Sequence, residues 1–95
     1  MSGGERVALR LRLRGRVQGV GFRYFVRGAA RELGLAGRVR NLVNGEVEVE
    51  VAGDAGQVER LKGRLRQGPP GAAVTGLDEE ELAGAPVWER FEIDG

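Results

Sequence analysis

The chain has no cysteine and no histidine, and only one of its fifteen basic residues, Lys62, is a lysine. Each absence removes a class of chemistry. Without cysteine there is neither a disulfide framework nor a thiolate metal site. Without cysteine and histidine, the cysteine-based and histidine-based phosphatase mechanisms and the serine triads are excluded. Hydroxyl groups are confined to Ser2, Thr75 and Tyr24, and Ser2 lies in a glycine-rich tail. The three aspartates, Asp54, Asp78 and Asp94, form no Asp-x-Asp pair. Catalysis, if there is any, must rest on arginine, asparagine, backbone amides, carboxylates and water, and no metal or cofactor is expected. No apolar run approaches the ~18 residues of a membrane span, and no signal peptide is visible, so a cytoplasmic protein away from membranes is expected. A net charge of +1 gives little general pull toward nucleic acid.

Against these absences stand seventeen glycines. Three of them punctuate Gly15-Arg16-Val17-Gln18-Gly19-Val20-Gly21-Phe22-Arg23, the most informative stretch of the chain. It lies between an alternating strand (Val7, Leu9, Leu11, Leu13) and a helical stripe (Phe22, Phe25, Val26, Ala29, Ala30, Leu33). Glycine tolerates positive φ and lets successive N–H groups turn inward together, so the loop can form an anion-binding nest. The helix behind it adds unpaired N–H groups and the positive end of its dipole. Arg23 falls in the first turn, where a cation is disfavoured unless an anion lies between it and the helix end. The pattern predicts a phosphate site.

Ninety-five residues predict one small domain, 1–95, with a frayed tail over 1–5 and about two-thirds of the chain surface buried. The first strand is expected over 6–14 and the first helix over 22–33, stopped by Gly34. Strands over 36–43 and 46–52 flank Asn44-Gly45, a strong hairpin signal. Asp54 and Gln57 open a second helix over 55–67, which Gly68-Pro69-Pro70 ends. A short extra strand is possible at 74–78, with Glu79-Glu80-Glu81 read as a solvated turn. The fourth strand is expected over 87–93, with Val87, Phe91 and Ile93 inward. The fold class is α+β: a ferredoxin-like βαββαβ open sandwich, its antiparallel sheet ordered 4-1-3-2 and both helices on one face.

That order sets Glu46, Glu48 and Glu50 between Arg10, Arg12 and Arg14 on one side and Arg38 and Arg40 on the other. The open face then reads as a charge ladder, preferred here to a nucleic-acid surface. Arg23 supplies a planar donor fork that matches phosphate bidentately, as lysine does not. Asn41 shares the parity of Val39 and so points toward the helix side, where it either satisfies nearby backbone or orients a water beside the phosphate. Gln18 is either a simple turn residue or a polar lip of the site. Tyr24 either covers the site or decorates the helix. Trp88 is expected to pack over arginine stems.

These motifs, followed by Gly34-Leu35-Ala36-Gly37-Arg38-Val39-Arg40-Asn41, by Asn44-Gly45 and by the Phe91-Glu92-Ile93 ending, resemble the acylphosphatase family over nearly the whole chain. The resemblance maps the family's phosphate-binding arginine to Arg23 and its water-positioning asparagine to Asn41. It maps the backbone phosphate cradle to Arg16, Val17, Gln18, Gly19, Val20 and Gly21. It implies metal-independent hydrolysis of small-molecule acyl phosphates to carboxylate and inorganic phosphate, by a monomer. Two departures touch neither key residue: Arg38 where the family often has an aromatic, and Asn44 where aspartate is common.

An acyl phosphate already carries a good leaving group, so the task is to hold the phosphoryl group, stabilise its equatorial charge and aim a water in line. A first alternative is an anion-binding module without turnover, akin to the carbamoyl-phosphate domain of hydrogenase-maturation proteins; such domains belong to longer chains. A second is an RNA-recognition domain of the same element order, which needs aromatic residues on the open sheet face. Here that face presents arginine and glutamate.

Overall fold

The computed structural model describes residues 5–84 and 87–94, so the expected frayed tail lies, apart from Glu5, outside the described residues. The chain runs β1 (Arg6–Arg16), α1 (Phe22–Glu32), β2 (Ala36–Asn41), β3 (Val47–Asp54), α2 (Ala55–Gln67), β4 (Ala73–Glu81) and β5 (Phe91–Ile93). The sheet order is β4-β1-β3-β2-β5. β1 pairs antiparallel with β3 and β4, and β2 antiparallel with β3. α1 packs on β2 and β5, α2 on β3 and β4, and the helices touch each other, so both cover one face.

The ferredoxin-like sandwich and the order 4-1-3-2 hold, with two differences in detail. The strand beside β1 is Ala73–Glu81, and Phe91–Ile93 adds a short fifth strand, parallel to β2, at the opposite edge. Charge explains the first difference. Three glutamates in a row read as a turn, yet Glu80 accepts from Arg10, Glu79 accepts from Lys62 at 2.6 Å, and Asp78 pairs with Arg14. Partners on β1 and α2 thus let an acidic segment form an edge strand, with Val74 and Leu77 packed against the core. The second follows from burial: Val87, expected inward, is 96% exposed, whereas Phe91 is fully buried. Trp88 is half-buried in the irregular segment before β5.

The core forms where the strand and helix periodicities meet. Leu9, Leu11 and Leu13 of β1, Val47, Val49 and Val51 of β3, and Val39 of β2 face the helices and are buried. Phe22, Val26 and Ala30 of α1 and Val58, Leu61 and Leu65 of α2 close over them. Each large side chain so buried contributes about 1.5–3 kcal/mol. On the other face the charge ladder is present but shorter than expected: Glu46 lies before β3, and Arg14 pairs with Asp78 of β4. Glu50 accepts from Arg10 at 2.9 Å and from Arg38 at 2.7 Å, while Glu48 accepts from Arg12 at 3.3 Å and from Arg40 at 3.0 Å. Both carboxylates are buried beneath the arginines of the two neighbouring strands. Arg38 also pairs with Asp94 at 3.2 Å, so the residue that departs from the family pattern is part of this ladder.

The helix ends differ in a way that bears on function. The Asp54 side chain accepts from the Gln57 N–H at 3.1 Å and caps α2, as its sequence predicts. α1 closes at its C-terminus through Gly34, with the Gly34 N–H bonded to Arg31 O and the Leu35 N–H to Ala30 O, the Schellman pattern. Its N-terminus has no side-chain cap and no acidic residue in the first turn.

Candidate active site

β1 reaches the site through a bulge at Arg14/Gly15, where its pairing with β4 shifts register. Gly15 has φ 120°, and a Cβ there would overlap the Ala73 carbonyl oxygen. Only glycine lets β1 and β4 lie this close at the turn into the loop. The chain then plugs Val17 into the core, leaving Arg16 exposed and Gln18 half-buried. Val20 packs against the core from the side, and Gly19 and Gly21 lie exposed between these anchors. Gly21 is the N-cap of α1 in the left-handed region (φ 76°, ψ 20°), which sets the angle at which the helix leaves the loop. The loop is therefore fixed by its apolar residues and presents its glycines.

Arg23 is the second residue of α1 and is half-buried. With no carboxylate in this turn and no side-chain cap, the glycine loop runs straight into the positive end of a helix whose second residue is an arginine. Tyr24 is exposed, and the Arg27 guanidinium sits 5.2 Å from its ring centroid, an interaction within the helix.

Asn41 ends β2, paired opposite Val47 on the core-facing parity, and is exposed where the strand leaves the sheet. The hairpin beyond it has a three-residue loop. Leu42 N–H bonds to Glu46 O at 2.8 Å and Gly45 N–H to Leu42 O at 3.2 Å, while the Asn44 side chain accepts from Glu46 N–H at 3.0 Å. Among the described residues only glycines have positive φ, so Gly45 (φ 95°) takes the left-handed position and Asn44 does not. This is a turn closed by a glycine bulge rather than a two-residue type I′ loop.

One side chain joins the loop to this hairpin. Gln18 Nε2 donates to Leu42 O at 2.8 Å and to Glu46 O at 2.9 Å. Both partners are carbonyl oxygens, so the NH2 end of the amide must face them. Sequence reasoning left Gln18 between turn residue and polar lip, and the structure shows it bonded across to the strand end that carries Asn41. Its partners are backbone atoms 24 and 28 residues away, which no local pattern encodes.

Among the described residues, no group of three or more acidic side chains converges as a metal site would. A separate hollow of about 420 Å³ lies at the far end of β1, lined by Arg6, Ala8, Ala52, Leu82 and Trp88 among others, and includes none of the residues just described.

Residues 9–93 match the family model described as acylphosphatase. The chain belongs to the acylphosphatase family. It is 48% identical over 82 residues to the acylphosphatase of Paraburkholderia xenovorans, covering 86% of this chain and 84% of that one. The crystal structure of acylphosphatase from Bacillus subtilis superposes with a TM-score of 0.90 at 35% identity, covering 94% of this chain and 99% of that one. A full-length HypF, solved in its phosphate- and nucleotide-bound form, matches with a TM-score of 0.84 at 26% identity. There the likeness covers 96% of this chain but 12% of HypF, so this acylphosphatase fold also occurs as a domain of a much larger protein.

Proposed function

We propose that this acylphosphatase hydrolyses the carboxyl–phosphate bond of small acyl phosphates without a metal or a covalent intermediate. Arg23 and the backbone N–H groups of Arg16, Val17, Gln18, Gly19, Val20 and Gly21 hold the phosphoryl group. Asn41 aims a water at phosphorus, opposite the acyl oxygen. The water forms the new P–O bond as the P–O bond to the acyl group breaks; the carboxylate leaves with that electron pair. A phosphoryl oxygen takes the water's proton, so no general base is required of a chain without histidine.

The observation that carries this reading is the start of α1, which has no side-chain cap and no acidic residue in its first turn and follows directly on the glycine loop, with Arg23 as its second residue. Asn41 enters through the Gln18 bonds, which hold its strand end against the loop. The working unit is a cytoplasmic monomer, one domain across 1–95, acting on no nucleic acid. Support comes from a sheet face whose arginines are paired with glutamates of the same chain.

The test is hydrolysis of benzoyl phosphate in EDTA, comparing wild type with Arg23→Ala, Arg23→Lys and Asn41→Ala. Turnover by the wild type is expected to survive EDTA. Arg23→Ala is expected to lower kcat by about 10²–10³-fold, the loss typical of a key oxyanion donor. Arg23→Lys should fare little better, since an ammonium cannot grip phosphate as a fork. The likeness to HypF gives a second reading, an anion-binding module; a folded wild type that binds inorganic phosphate without hydrolysing benzoyl phosphate would select it.

A further inference from the structure

We infer that Gln18 is a positioning residue that couples the phosphate-holding loop to the water-aiming Asn41. This inference rests on the reading just proposed. In-line attack needs two things placed relative to one another: the phosphoryl group on the loop, and the water at the end of β2. A misplacement of about 1 Å between reacting groups can cost about 10²-fold in rate. The loop and the hairpin come from different parts of the chain, joined by α1 and β2, and each has its own anchors. Val17 and Val20 seat the loop in the core, while Asn41 closes the last pair of the sheet with Val47 and the turn extends beyond it.

Gln18 bridges the two. Its Nε2 donates to the carbonyls of Leu42 and Glu46, one on each arm of the hairpin. Those two residues form the next pair beyond Asn41–Val47, closed by the Leu42 N–H to Glu46 O bond of 2.8 Å. Both arms are thus clamped one residue beyond Asn41. Two bonds from one planar amide fix direction as well as distance, as a single bond would not. The clamp is also specific to the residue type. A hydroxyl has one proton to donate, and a carboxylate would set negative oxygens against two carbonyls. Gln18 is therefore predicted to act on the water position through Asn41, while phosphate binding stays with Arg23 and the loop amides.

The experiment is steady-state hydrolysis of benzoyl phosphate by Gln18→Ala, by Gln18→Met, and by each combined with Asn41→Ala. Inhibition by inorganic phosphate and thermal melting are followed in parallel. Methionine keeps the length and bulk of the side chain without the donors, so a folded variant is in hand even if alanine loosens the loop. The expected result is a fall in kcat of about 10- to 100-fold, with KM and phosphate inhibition little changed. Because Gln18 works through Asn41, adding either substitution to Asn41→Ala should cost little more than Asn41→Ala alone. Wild-type kcat in folded Gln18→Met would overturn the inference. So would a loss confined to KM, or one that multiplies fully with that of Asn41→Ala, since either makes Gln18 part of the cradle or the scaffold alone. Failure of the underlying reading looks different: Asn41→Ala itself would then turn over like the wild type, whatever Gln18 does.

Discussion

A methyl group at position 15 would run into the Ala73 carbonyl oxygen and crowd the Thr75 N–H, on a backbone already at φ 120°. Gly15→Ala combines strain with overpacking and is expected to lose roughly 3 kcal/mol or more of stability, read from urea unfolding. At Gly21 nothing lies within 4 Å of where a Cβ would point. Gly21→Ala should therefore cost only the left-handed strain, about 1–2 kcal/mol, while re-aiming the start of α1. Its measurable signature is a larger proportional loss of turnover than of stability, the reverse of Gly15→Ala. At this scale the sequence was legible where a residue acts on near neighbours. Asp54 caps the helix that follows it, Gly34 stops the one before it, and Asn44 with Gly45 turns the hairpin. It was not legible for Gln18, whose two partners become neighbours only when the sheet closes.

Among the elements, β3 carries the clearest division of labour, with valines to the helices and glutamates to the arginines. Burial pushes the Glu50 carboxyl up, but hydrogen bonds from Arg38 and Arg10 outweigh it and hold its pKa below the ordinary value. A depressed carboxylate stabilises the fold above its unfolded pKa, about 4.3, and that contribution is lost as pH falls through the lower folded value. Wild-type stability from this group should therefore be flat from pH 7 to 5 and decline below about pH 4. In Glu50→Gln the total should be lower at pH 7 and the decline on acidification shallower; denaturant midpoints at pH 7, 5 and 3 test both. The ladder itself was readable from alternation alone, since Arg10, Arg12, Glu48, Glu50, Arg38 and Arg40 fall on one parity once the strand order is fixed. β4 was harder, because an edge strand is paired on one side and shows a weak apolar pattern. Its acidity was explicable only through Lys62, Arg10 and Arg14, which come from α2 and β1. The Val87 to Phe91 run misled in the opposite direction, apolar in composition yet open to solvent at Val87.

For the molecule as a whole, the radius of gyration of 12.3 Å agrees with the ~12 Å expected of a single compact body of this length. Small-angle scattering at low concentration should return a value near this one for the proposed monomer, and a distinctly larger one for a dimer. The interior strand β1 pairs with segments 34 to 72 residues further on, so the sheet cannot close until most of the chain is available. What remains at the sheet's borders is β5, only three residues long, and β4, whose exposed run of Asp78, Glu79, Glu80 and Glu81 lines the other side. Two copies meeting border to border along β4 would bring carboxylates against carboxylates. The acidic run thus guards the molecule against self-templated strand addition, the route by which unpaired sheet borders seed fibrils.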